Sequence, residues 1–336
     1  MTPFQISSRQ ESTSHPCSRR DCLKAMSAAV LGASAIDTGV LAAPTEDLRA
    51  KARAQIHVGI DARVYSKLPL EEAVRRIRAD GFDNVLTDFT FADVRFDPWS
   101  PDWAAAAKIR ACFERHGVRV ASIFGYYNVV DPNPAKRRRG ESRMEFYIAH
   151  WKRLGCPILS TETGTLNRTS EWLDSPENAT EGGYLQCRAA LARLARAAEK
   201  TGAIISLEAY WRNIISSIDR AERLFRDVPS PSLKLVMDPC NYFRREDLSR
   251  MQPMLEDLFR RLGDRFVVAH AKDVKAAAKE TDGTDLPAAG LGVLDYPLYL
   301  RLLAQLNRPM DLILEHLSLP DVVRARDFVL SQFAKV

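Results

Sequence analysis

From residue 56 onward the chain alternates between two textures: short β-branched or apolar runs, eight in number, and longer helical stretches. The strand candidates are IHVGID (56–61), NVLTDF (84–89), RVASIFGY (119–126), PILSTE (157–162), AIISLEA (203–209), LKLVMD (233–238), RFVVAHA (265–271) and LILEHL (312–317). Between them lie LEEAVRRIRADG, AAAAKIRACFERHG, LQCRAALARLARAAEKTG and YLRLLAQLNR, with VVRARDFVLSQF at the end. The third of these puts Leu191, Leu194 and Ala198 on one helical stripe and Arg193, Arg196 and Lys200 outside it. Gly81, Gly117, Gly155, Gly202 and Gly263 stand where a helix would stop before the next strand. Strands joined by helices pair in parallel. Eight such units between residues 55 and 334 predict an α/β protein, a single-domain (β/α)8 TIM barrel, for which ~250 residues is typical. A doubly wound open sheet is the competitor, but no strand runs into a Gly-rich phosphate loop.

In a barrel of this kind chemistry sits at the C-terminal ends of the strands. Asp61 ends the first candidate and Asp88 nearly ends the second; Tyr126, Tyr127 and Asn128 close or follow the third, and Glu162 ends the fourth. The last four strands then deliver Glu208, Asp238, His270 and Glu315 to the same rim. Taken singly, a strand-end acid usually caps a helix or faces solvent, and a lone histidine in an apolar strand is usually a hydrogen-bonded core residue. Three carboxylates converging on one rim repel each other and resist burial. A divalent cation resolves both problems. Three carboxylates and an imidazole form a hard, oxygen-rich set that suits one Mn²⁺, Mg²⁺ or Co²⁺, with Mn²⁺ first.

Bulk properties narrow the function. The net charge of +5 over 336 residues is no nucleic-acid footprint, so no nucleic-acid partner is expected. Six scattered cysteines (17, 22, 112, 156, 187 and 240) show no zinc spacing. The first 43 residues resemble a twin-arginine export signal: Arg19 and Arg20, a mildly apolar stretch from Ala25 to Ile36, then VLAAP. That stretch is shorter than the roughly 20 residues a membrane span needs. The expectation is a periplasmic protein, or a cytoplasmic one if residues 1–43 are only a basic tail.

TETGT (161–165), SLEAY (206–210), MDPCN (237–241), AHAKD (269–273), GLGVLDY (290–296) and ILEHL (313–317) occur in this order. The set resembles the xylose isomerase-like TIM-barrel superfamily of sugar isomerases and epimerases, which also includes an endonuclease type. The resemblance covers roughly residues 55–334. It implies a metal held by Glu208, Asp238, His270 and Glu315, with Glu208 and Glu315 also serving as the acid/base pair. The metal would polarise a carbonyl and stabilise an enediolate, while one glutamate takes a proton and the other returns one.

The expected substrate is thus a small carbohydrate, a sugar or keto-sugar, and the expected reaction isomerisation or epimerisation. A lyase or dehydratase using the same metal is the alternative; a histidine-rich endonuclease site and a non-catalytic sugar-binding module rank lower. Substrate contacts are expected from Glu162, Asn241, Lys272, Tyr126 and Trp211. Self-association into a homo-oligomer is left open. Where ketohexose epimerases of the superfamily clamp their substrate with Glu, His and Arg, this chain has Ile214, Asn241 and Ala276. The substrate should differ accordingly. AKRRRG (135–140) reads as a solvated loop or an anchor for an acidic group, and Asp273 as a helix cap or the partner of Lys272.

Overall fold

The computed structural model describes residues 46–279 and 283–336; the twin-arginine reading concerns residues outside them. Eight parallel strands close into a barrel: β1 (Ile56–Asp61), β2 (Asn84–Thr87), β3 (Arg119–Phe124), β4 (Ile158–Glu162), β5 (Ile204–Glu208), β6 (Leu233–Met237), β7 (Phe266–Ala271) and β8 (Met310–Leu314). Each strand pairs with its sequence neighbour, and β8 pairs with β1 in register from Ile56–Met310 to Ile60–Leu314. The expected (β/α)8 barrel is therefore the observed fold.

A helix not anticipated from the pattern, α1 (Glu46–Gln55), leads into β1. The outer helices are α2 (Leu70–Ala79), α3 (Trp103–Arg115), α4 (Pro134–Leu154), α5 (Glu181–Thr201), α6 (Ile218–Asp227), α7 (Met251–Leu262), α8 (Tyr296–Gln305) and α9 (Val322–Gln332). Side-chain caps fix several starts: Asp102, Asn133, Thr180 and Ser217 each accept backbone N–H bonds from the first turn. Gly155 and Gly202 close α4 and α5 in the left-handed conformation. Gly263 departs from that role: it is right-handed and begins a 3₁₀ turn.

The barrel interior is layered. Leu86, Ala121, Val236, Val268 and Ile313 form a small buried apolar cluster. Ser122, Ser160 and Ser206 join hydroxyl to hydroxyl across β3, β4 and β5 at 2.5 and 2.8 Å, so these buried polar groups are satisfied. Two residues further along β4 and β5 come Glu162 and Glu208, paired in register. Strand alternation puts them on the same inward side. A much larger apolar core fills the space between strands and helices. Within it the Tyr299 hydroxyl donates to the carbonyls of Met237 and His270 at 3.0 and 3.1 Å, tying α8 to the ends of β6 and β7.

Candidate functional site

The last four strands bring Glu208, Asp238, His270 and Glu315 together, with one potential ligand atom from each lying within 4.8 Å of the others. All four are buried. His270 Nδ1 lies 3.5 Å from Glu208 Oε2, 3.6 Å from Asp238 Oδ2 and 3.3 Å from Glu315 Oε2. Neither imidazole nitrogen makes a hydrogen bond. A buried histidine without a hydrogen bond is costly, so the core-histidine reading fails here. Cis ligand atoms each about 2.1 Å from a shared cation sit about 3 Å apart. The observed spacings are near that value, and the residues fit a divalent cation in both donor type and convergence.

Electrostatics carry the same message. Burial favours the neutral acid at Glu208, but the positive charges of His270 and Lys272 outweigh it and hold the carboxyl at about 2. Glu315 is likewise held well below the usual range against burial, by His270 and Lys272. Burial dominates at Asp238 and raises it. Burial would lower both bases, yet the carboxylates raise His270 and Lys272 well above their ordinary values. Lys272 Nζ sits 2.6 Å from Asp238 Oδ2 and 2.8 Å from Glu315 Oε1. With His270 neutral, as a metal ligand must be, the Lys272 ammonium alone does not balance three carboxylates, and a divalent cation would supply the remaining charge.

A cavity of about 360 Å³ opens above the cluster. Of the four converging residues, only Glu208 and Glu315 line it. Tyr126, Asn241, Lys272 and Glu162 line it too. Tyr126 donates its hydroxyl to Glu208 Oε2, and Asn241 Nδ2 donates to Glu208 Oε1 at 2.5 Å. Asn241 thus orients a glutamate through a group that does not titrate near neutrality. Glu162 accepts from Asn213 Nδ2 at 3.2 Å. Burial pushes its carboxyl up to about 8, with the Asn213 bond offsetting only part of the rise.

Trp211 does not join this cavity. It lines a separate one of about 410 Å³ with Arg244, Arg245, Glu246 and Gly283, and its ring lies beneath the guanidinium groups of Arg212 and Arg244. Its backbone N–H donates to Asn241 O at 2.9 Å, which anchors the chain there; Tyr210 lines the central cavity instead. Tyr127 is packed against Gly140, where any Cβ would overlap the ring. Asn128 is spent on the backbone of Thr165 and Val130. The basic run at 135–140 is no loop: it forms the first turns of α4, and its residues do not line the cavity. Asp273 caps no helix; it accepts N–H bonds from Val274, Gly290 and Leu294 and so shapes the loop before α8.

Arg63, Phe124, Trp172, Asn213, Leu286 and His316 also line the cavity. They come from loops and strand ends whose convergence has no periodic signal in sequence. A second grouping, Glu71, Cys112 and His116, lies on α2 and at the end of α3. Arg115 already pairs with Glu71 there at 2.6 Å, which disfavours a cation.

Comparison with the curated proteins finds no match. A Mycobacterium smegmatis xylose isomerase-like TIM barrel protein, solved in complex with magnesium, is similar at 16% identity and TM-score 0.60, covering 85% of this chain and 99% of that one. The 3-keto-D-glucoside 4-epimerase of E. coli is similar at 15% identity and TM-score 0.62, covering 84% and 100%. A probable 3-DHS dehydratase from Bacillus anthracis is similar at 13% identity and TM-score 0.61, covering 82% and 98%. At these identities the likeness speaks to the fold. The family model for the xylose isomerase-like TIM barrel matches residues 74–328, most of the closed barrel and all four converging strand ends, and the chain belongs to that family.

Proposed function

We propose that this protein is a divalent-metal-dependent isomerase or epimerase of a keto-sugar. Glu208, Asp238, His270 and Glu315 would hold the ion, Mn²⁺ being the first candidate and Mg²⁺ and Co²⁺ the others. The observation that carries the reading is the division among these four: two glutamates open onto the cavity, and the aspartate and histidine lie beneath it. When bound, a divalent cation there withdraws charge from a substrate carbonyl and acidifies the neighbouring C–H. Glu208 or Glu315 takes that proton. The other glutamate returns one, relayed from water at the open side of the cavity. Tyr126 and Asn241 fix Glu208 in place, and Lys272 offers an ammonium to oxygen on the substrate.

Glu162 favours a second reading. It is a third carboxyl on the same cavity, buried and inclined to keep its proton. A neutral acid there can protonate a departing hydroxyl, which would make the reaction an elimination. The dehydratase among the structural neighbours is consistent with that chemistry. We further propose that residues 1–43 are an export leader and that the barrel acts outside the cytoplasm.

The test is proton exchange next to the ketone of a keto-sugar in D₂O, followed by NMR and mass spectrometry. Wild type should exchange the proton, and Glu208→Gln should slow exchange by roughly 10²–10⁴-fold. Near-normal exchange in that variant defeats the acid/base assignment. Exchange with a product lighter by one water selects the lyase.

A further inference from the structure

The cavity lining divides by burial. Glu162, Glu208, Asn213, Asn241, Lys272 and Glu315 are at most 8% exposed and all polar. The remaining residues are more exposed and mainly aromatic or apolar: Trp172, Tyr210, Phe124 and Leu286 among them. Arg63 stacks its guanidinium 3.6 Å above the Phe124 ring, which makes that part of the mouth flat as well.

Both sets of residues line one cavity of about 360 Å³, with the polar groups at its buried end and the flat, apolar groups at its exposed end. Resting on the keto-sugar reading above, we propose that the mouth is a second subsite for an aromatic ring carried by the sugar. The substrate class is then an aryl glycoside bearing a ring ketone, and Trp172 is the principal contact for the aryl group.

Two further observations bear on this subsite, the second favouring an aryl group over a second sugar. Trp172 is 60% exposed, yet the loop that bears it is fixed: Thr165 Oγ1 donates to Leu173 O at 2.9 Å, and Asn178 Nδ2 donates to both Thr165 Oγ1 and Arg212 O. A large apolar ring held open to solvent on an anchored backbone is a ready stacking surface. Two polar side chains of the mouth are also engaged. Arg63 gives Nε and Nη2 to Asp61, and His316 Nδ1 lies 3.0 Å from Leu286 O. A second sugar would bring several hydroxyls needing partners; an aryl ring brings none.

The experiment is calorimetric binding to the wild-type protein without added metal, which keeps every lining residue in place and lacks the ion that turnover would need. The probes are the methyl, phenyl and glucosyl β-glycosides of one 3-keto-glucose. The phenyl glycoside should bind roughly tenfold more tightly than the methyl, and Trp172→Ala should bring the ratio to about one. Trp172 is exposed, so that variant keeps its fold. A ratio near one in the parent, a ratio unchanged by Trp172→Ala, a glucosyl probe equal to the phenyl, or no binding of any probe overturns the proposal. Proton exchange in the wild type is read separately: its absence with the phenyl advantage intact defeats the reaction and leaves the subsite standing.

Discussion

On β1, β2 and β4 the rim acids Asp61, Asp88 and Glu162 share no buried base at the centre of the barrel, whereas on β5, β6 and β8 the rim acids Glu208, Asp238 and Glu315 converge on His270. In the first half Asp61 is neutralised by its neighbour Arg63, with Nη2 to Oδ2 at 2.5 Å. Asp88 accepts from the Thr90 N–H, and burial raises it despite Arg63 nearby. Burial likewise raises Glu162. In the second half, burial meets an opposing charge from His270 and Lys272, and two carboxyls stay ionised. Position at a strand end is therefore not what marks a candidate ligand. Convergence with a base from the intervening strand, β7, makes the difference.

The largest test of that contrast is a pair of matched substitutions. Asp238→Asn should abolish stabilisation by added Mn²⁺, and Asp61→Asn should keep it. For an ion at a hundred times its Kd the increment is about 2.7 kcal/mol, read from thermal melts with and without metal. Loss of the increment in Asp61→Asn would erase the distinction between the halves. A smaller effect concerns Glu162. The folded protein holds its proton up to about pH 8, while an unshifted glutamate releases it near 4.5. Between those values the folded state binds more protons, so this group makes stability fall as pH rises. Glu162→Gln should flatten the Tm-versus-pH curve over that window; an unchanged slope counts against a protonated Glu162. The smallest effect is at Tyr299, whose hydroxyl supports the carbonyls of Met237 and His270. Tyr299→Phe should cost about 1 kcal/mol of stability and weaken metal binding slightly. A full loss of metal would mean that α8 has a larger part in the site than these two bonds indicate.

The barrel was legible because its signals are local. Each strand is a short apolar run, and several helices carry an apolar stripe and a side-chain cap. Strand ends shifted where the backbone turns: β2 stops at Thr87, ahead of Phe89 at φ 58°, and β8 is Met310–Leu314 rather than 312–317, with His316 at φ 56° just beyond it. The converging set could be read from sequence for a related reason. Period-two alternation sends strand-end residues inward, so four strands sufficed to name Glu208, Asp238, His270 and Glu315. The cavity wall could not be read that way. Trp172, Leu286 and His316 reach it from loops or turns, and the choice of Tyr210 over Trp211 depends on a backbone bond to Asn241. The start of α4 was hidden because its first turns are basic, against the helix dipole; the Asn133 cap and Pro134 supply the start instead.

The central claim is that four consecutive strand ends hold one divalent ion. Titrating the metal-free protein with Mn²⁺ by calorimetry tests it most directly, with His270→Ala alongside. The wild type should show one tight site per chain and the variant none. Three sites per chain, or tight binding that survives His270→Ala, would contradict it.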